Sequence, residues 1–163
     1  MTLDAATGFF SYIPVDWIII VVLAIFIAFD ALRSGFGKVT ALALSLPATL
    51  FLSAALEHAR ILSGVAEQFS SPGLKAALFG VVFVAVYLLV RKMSARYTSN
   101  SGEIIQALMA GVAAAAVLVV VWLAAPELQA IWHFGPQVHA VFGEAYRFWW
   151  VALSYLMLAY VRS

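Results

Sequence analysis

Four long stretches of apolar residues constrain this chain more than any other feature of its sequence. They cover residues 15–32, 39–56, 74–90 and 104–125. A helix rises about 1.5 Å per residue, so roughly 20 apolar residues cross a hydrocarbon core of about 30 Å. Only 10% of the 163 residues are charged and 65% are hydrophobic, whereas about a quarter of the residues in a soluble domain are charged. The sequence therefore predicts one all-α integral membrane domain, residues 1–163, with four transmembrane helices.

The remaining tail allows two interpretations. Residues 148–161 are apolar, but a helix of this length spans only about 21 Å. Upstream, Val138, Val141, Phe142 and Ala145 fall at helical spacing, which is typical of an amphipathic helix. We expect a C-terminal helix at about residues 137–161. It is either an interfacial helix that bends inward or a short fifth span that ends near Arg162.

The distribution of charges predicts the orientation of the spans. The loops at residues 33–38 and 91–102 carry five basic residues and no acidic residue. Short loops rich in Lys and Arg face the cytoplasm, so we expect these two loops to be cytoplasmic and the N-terminus to face outward. Trp17, Trp122 and Trp132 then map to the outer boundary of the membrane, where amphipathic rings are stable.

Several classes of function find no support in the sequence. The net charge of +1 offers no basic field for nucleic acid, and the absence of cysteine excludes disulfides and thiolate metal sites. The three histidines, His58, His133 and His139, have no spacing typical of a metal or haem site, and there is no GxSxG motif. We therefore expect no enzymatic activity, no cofactor, no metal and no nucleic-acid partner.

One acidic residue lies within membrane depth. Asp30 precedes Arg33 by three positions, so the two side chains are candidates for an intramembrane ion pair. The alternative is a boundary carboxylate that reaches the water of the headgroup layer. No second acidic group lies deep in a facing span, which argues against a proton or ion pump.

Hydroxyl side chains follow one stripe of the second predicted span. These residues are Thr40, Ser45, Thr49 and Ser53. We expect the stripe to face protein, because hydroxyls at this spacing can return hydrogen bonds to the backbone or reach a neighbouring helix. The same stripe could instead line a small oligomeric channel. Pro47 should kink this span by freeing a backbone carbonyl.

The first two spans and their connector carry a family resemblance. Residues 14–17 read Pro-Val-Asp-Trp, an Ile-rich span follows, and residues 32–38 read Leu-Arg-Ser-Gly-Phe-Gly-Lys. This order of features resembles the colicin V production protein (CvpA-like) family, best from Asp16 to about Leu46. Ser34 departs from the family pattern, since it interrupts the usual Arg-Gly pair. The resemblance implies a small bacterial inner-membrane protein with a role in peptide toxin export or envelope homeostasis and no enzymatic mechanism.

The family resemblance implies that the connector is the candidate site for contact with a partner or lipid, although topology alone would also explain its residues. Its residues are Arg33, Gly35, Phe36 and Lys38. Two glycines permit a tight reversal, and the two cations hold the connector at the anionic membrane surface. We expect the partners to be membrane lipid and either further copies of this chain or other membrane proteins. The first hypothesis is thus an assembly protein, and the alternative is a small oligomeric channel or solute permease.

Overall fold

The structure, a computed structural model, describes residues 14–58, 71–94 and 104–162. Within these ranges the regular elements are all helices: α1 (Val15–Ser34), α2 (Phe36–His58), α3 (Pro72–Ser94), α4 (Ile104–Ala124), α5 (Pro126–Gln129), α6 (Pro136–Phe142) and α7 (Arg147–Arg162). Helices α1 to α4 are each long and apolar enough to cross a membrane. The predicted all-α class with four such helices is confirmed.

The helices extend beyond the apolar stretches at most of their ends, and the first connector is shorter than predicted. Residues 33–38 were expected to form a loop, but only Gly35 lies outside the helices α1 and α2. The flanking residues have no conformational reason to leave the helix, because Arg, Ser, Phe and Lys all tolerate helical backbone angles. The reversal of the chain therefore rests on one residue.

Helix α4 lies at the centre of the fold and packs against α1, α2 and α7. Its small residues Ala107, Ala110, Gly111 and Ala114 are buried. At Gly111 the backbone of α1 comes so close that an added Cβ atom would lie 2.7 Å from the Cβ of Ala28. Small side chains permit this approach, and dispersion between the two backbones stabilises the helix pair.

Helix α3 lies at the edge of the bundle and packs mainly on α2. Phe79 is buried in a cluster with Leu46 of α2 and Val121 of α4, whereas Leu88 and Leu89 are exposed. Of the four long helices, α3 has the smallest buried share. Most of its surface is therefore an outer apolar face of the molecule.

The two ends of the bundle differ in chemistry. We call one the basic end, where α1 finishes, α2 begins and α3 finishes with Arg33, Lys38, Arg91 and Lys92. We call the other the aromatic end, where the rings of Trp17, Phe134, Phe142 and Trp150 pack around the last turn of α4. Trp122 also lies there and donates a hydrogen bond from Nε1 to the Trp132 carbonyl at 3.0 Å. The tryptophans expected at one boundary thus lie at one end.

The C-terminal region is not the single helix predicted for residues 137–161. Helix α6 stops at Phe142, and a turn at residues 143–146 precedes α7. Gly143 adopts an extended conformation with φ −64° and ψ 179°, and its carbonyl accepts hydrogen bonds from the amides of Tyr146 and Arg147. The apolar positions predicted to share one helix therefore belong to two helices, because the chain leaves the helical conformation between Phe142 and Arg147.

Helix α7 runs antiparallel to α4 over most of its length. At its start, Arg147 donates a hydrogen bond to the carbonyl of Leu123 in the last turn of α4. At its end, Val161 belongs to a buried cluster with Ala107 of the first turn of α4 and Phe36 of α2. Helix α7 is apolar but shorter than the four candidate spans, and its crossing of the membrane stays a prediction. Its length is about 24 Å.

Candidate functional site

The connector at the basic end is built around the backbone of Gly35. This residue has φ 85° and ψ 156°, a conformation that side chains with a Cβ rarely adopt. Its amide donates a hydrogen bond to the carbonyl of Ala31 at 2.9 Å, which closes the end of α1. Gly35 therefore sets the angle between α1 and α2, and its role is conformational.

Phe36 does not lie on the surface of the connector. Its ring is only 4% exposed and packs in a cluster that includes Ile27 and Ala31 of α1 and Ala110 of α4. Phe36 was included in the candidate contact site because it lies in the connector that carries the family resemblance. The prediction that Phe36 contacts a partner is wrong for this conformation, since the bundle itself covers the ring.

Arg33 and Lys38 are the residues of the connector that remain accessible. Arg33 is exposed and Lys38 is half-buried. The last turn of α3 adds Arg91 and Lys92, both exposed, at the same end. In the described ranges no carboxylate lies within ion-pair distance of these four cations. The accessible part of the candidate site is therefore a group of positive charges from three helices, none of which is paired with a carboxylate of the described ranges.

Asp30 does not form the predicted ion pair with Arg33. Its carboxylate accepts a hydrogen bond from the hydroxyl of Ser34 at 3.0 Å, and no ion pair to it occurs among the described residues. Ser34 lies four positions later on the same helix face, and its short side chain reaches the carboxylate without crossing the turn. The longer Arg33 side chain is left exposed.

The hydroxyl stripe of α2 faces the interior, as predicted. Thr40, Ser45 and Thr49 are buried, and the hydroxyl of Thr49 donates a hydrogen bond to the Ser45 carbonyl at 2.7 Å. The other three hydroxyls also donate to carbonyls three or four residues earlier on α2, at 2.8 to 3.0 Å. Each hydroxyl hydrogen is thus satisfied within its own helix, which lets these residues pack without a polar partner on another helix.

A contact that the sequence did not reveal joins α7 to α2. Proline at position 47 has no amide hydrogen, so the carbonyl of Ala43 lacks its usual donor four residues later. The hydroxyl of Tyr155 on α7 donates to this carbonyl at 3.3 Å. Pro47 predicted a free carbonyl in α2, but nothing in the sequence indicated that Tyr155, which lies 112 positions after Ala43, would supply the donor.

The aromatic end is closed by a carboxylate of α1. Asp16 accepts a hydrogen bond from the amide of Gly135 at 2.6 Å, which attaches the segment before α6 to the first turn of α1. The position of Asp16 at the start of α1 also places its negative charge near the positive end of the helix dipole. This residue belongs to the motif that carries the family resemblance, and here it holds two distant segments together.

The C-terminal end of α4 is capped by polar side chains from later in the chain. The carbonyl of Leu123 accepts hydrogen bonds from Gln129 Nε2 at 2.5 Å and from Arg147 Nη2 at 2.9 Å. A guanidinium group is favourable there because the last carbonyls of a helix carry partial negative charge. Glu144 lies 3.8 Å from Arg147 but is largely exposed, so this ion pair adds little.

The histidines are the remaining candidates for metal chemistry. His133 and His139 are exposed at the aromatic end, and the side chain of His58 lies outside the described residues. No group of three His, Asp or Glu side chains in the described part of the chain is arranged to hold a metal ion.

Comparison of the chain with protein-family models, with curated proteins and with solved structures gave no match.

Proposed function

We propose that this chain is a non-enzymatic multi-pass protein of the bacterial inner membrane that acts by assembling with lipids and with other membrane proteins or copies of itself. The resemblance of residues 14–46 to the CvpA-like family supports a role in colicin V production and export or in envelope homeostasis. In this proposal the N-terminus faces outward, and residues 33–38 and 91–102 are cytoplasmic.

One observation carries the proposal: the hydroxyl groups of α2 are bonded to their own helix, and among the described residues the groups that remain accessible lie on the outside of the bundle. Ser45 and Thr49 are buried and bonded to their own helix. The accessible features are the apolar outer faces of the helices, of which α3 is the most exposed, and the cations of the basic end. Such surfaces suit binding to lipids and other helices.

The separation of charges supports the proposed orientation. Arg33, Lys38, Arg91 and Lys92 lie at one end, while Asp16 and the tryptophan rings lie at the other. Because α7 returns toward the basic end, position 162 adds a further basic residue on that side. The bundle thus has the asymmetry expected of a protein with a cytoplasmic basic end.

The proposal is tested by reconstitution and by crosslinking in cells. Purified protein in lipid vesicles should give no ion or solute flux above that of empty vesicles, whereas crosslinking should capture oligomers or a specific membrane partner. Flux that falls when Thr49 is replaced by valine would contradict the proposal and favour an oligomeric channel or permease lined by the hydroxyl stripe.

Substitutions at the basic end provide the functional test. Replacing both Arg33 and Lys38 with glutamine should leave membrane insertion and helix content unchanged. The double substitution should abolish the proposed cellular role, which is measured as colicin V export or envelope homeostasis. The matched control is Lys75→Gln, which removes an exposed cation from the start of α3 at the other end. Equal activity of both variants would refute a role for the connector. Gly35 and Phe36 are unsuitable for this test, since changes there disturb folding.

A further inference from the structure

We propose that the basic end binds the phosphate group of an anionic phospholipid through the cations of the connector and of the last turn of α3. This inference rests on the proposed function and names one partner at the same site. It depends on three observations: the position of the cations at one end of the bundle, the absence of carboxylate partners for them among the described residues, and the apolar surface directly beside them.

The cations come from three helices that lie side by side. Arg33 is in the last turn of α1, Lys38 is in the first turn of α2, and Arg91 and Lys92 are in the last turn of α3. Helix α2 packs against both α1 and α3. The four cations therefore lie at the same end of three neighbouring helices, although they are up to 59 positions apart in sequence.

The charge of this group is available to an external anion. The carboxylate closest to Arg33 along α1 is Asp30, and one of its oxygens accepts a hydrogen bond from the hydroxyl of Ser34. No ion pair within the described ranges involves any of the four cations. Lys and Arg at the membrane surface each strengthen binding to anionic lipid about fivefold.

The neighbouring surface identifies the anion as a lipid and not as free phosphate. One turn before Arg33, the ring of Phe29 is 62% exposed, and one turn before Arg91 and Lys92 the side chains of Leu88 and Leu89 are more than half exposed. These residues belong to spanning helices, so they face acyl chains in a membrane. A ligand with an anionic head and apolar tails matches both parts of this surface.

The test measures lipid retained by the protein after extraction. The full chain is equilibrated with vesicles of equal phosphatidylglycerol and phosphatidylcholine, extracted in mild detergent, and analysed by native mass spectrometry. We expect wild-type protein to retain phosphatidylglycerol in at least fivefold preference. This preference should fall at least fivefold in Arg33→Gln/Lys38→Gln and in Arg91→Gln/Lys92→Gln, but not in Lys75→Gln.

Two further arms keep the outcome unambiguous. The charge-conserving variant Arg33→Lys/Lys38→Arg should retain the wild-type preference, while millimolar inorganic phosphate should not displace the lipid. Loss of preference in Lys75→Gln equal to that in the other variants, absence of preference in wild type, or full displacement by phosphate would each overturn the inference. Lipid retention is read without any cellular effect, so failure of the assembly proposal alone would leave this result intact.

Discussion

Replacing Gly111 with alanine should weaken the central helix pair by forcing α1 and α4 apart. An added Cβ would lie 2.7 Å from the Cβ of Ala28, 2.9 Å from its backbone nitrogen and closer still to the carbonyl oxygen of Ala24. Ordinary van der Waals contact begins at 3.4 Å, so the contact with the Cβ of Ala28 alone requires the helices to separate by about 0.7 Å, and the closer carbonyl oxygen of Ala24 requires more. None of these neighbours is the mobile tip of a long side chain, so the strain cannot be relieved by a rotamer change.

The expected loss of stability follows from overpacking at this seam. Inserting one methyl group into a close-packed core costs about 1–3 kcal/mol. The separation also weakens dispersion at the other small residues of α4, Ala107 and Ala114, which pack tightly in the same interface. Alanine is the better helix former, by about 1 kcal/mol in water, which offsets part of this cost. The unfolding free energy should therefore fall by about 1–2 kcal/mol.

The matched control is Gly80→Ala in α3. An added Cβ at Gly80 meets no atom within 4 Å, so only the gain in helix propensity remains. Unfolding by SDS in mixed micelles, followed by circular dichroism, compares the two variants with wild type. We expect Gly80→Ala to be as stable as wild type or slightly more stable. Equal stability of Gly111→Ala and Gly80→Ala would refute the close approach of α1 and α4, and Gly111→Leu provides a larger perturbation of the same kind.

Three further predictions concern contacts between distant parts of the chain. Tyr155→Phe should lower the unfolding free energy by about 0.5–1 kcal/mol in the wild-type protein but hardly at all in a Pro47→Ala background, where the new amide donates to the carbonyl of Ala43. Equal losses in the two backgrounds of this double-mutant cycle would contradict the contact. Asp16→Ala should lower the unfolding free energy by about 1 kcal/mol because the half-buried amide of Gly135 loses a charged acceptor, whereas Glu144→Ala should change it little, and chemical denaturation compares the two variants. A compartment-specific reporter fused after Arg162 should report the same side of the membrane as one placed in the loop after α3; signals from opposite sides would show that α7 does not cross.

The sequence predicted the features that depend on local composition. Four apolar stretches located α1 to α4, and the spacing of Ser45 and Thr49 placed the hydroxyl stripe on a protein-facing side, as observed. These features depend on the transfer of apolar side chains from water into lipid and on the period of the helix, and both can be judged from about 20 consecutive residues. The small residues around Gly111 are typical of close packing between helices in lipid, because only small side chains let two backbones approach.

The features missed by the sequence depend on residues that are distant in the chain. Phe36 was a candidate for contact with a partner, but its ring packs in a cluster with residues of α4 and α7. The carboxylate of Asp30 accepts a hydrogen bond from Ser34 and forms no ion pair with Arg33. The donor for the carbonyl freed by Pro47 lies on α7. Such contacts follow from the arrangement of the helices, which hydropathy alone does not specify.

The central position of α4 has a consequence for biogenesis. Ribosomes deliver segments in order, so α1 and α2 are synthesised before α4, the helix that packs against both of them. The alanine face of α1 therefore has no native partner on α4 until α4 follows. The α2–α3 pair can form earlier, whereas the native packing of α1 waits for α4, and α7 then completes the bundle.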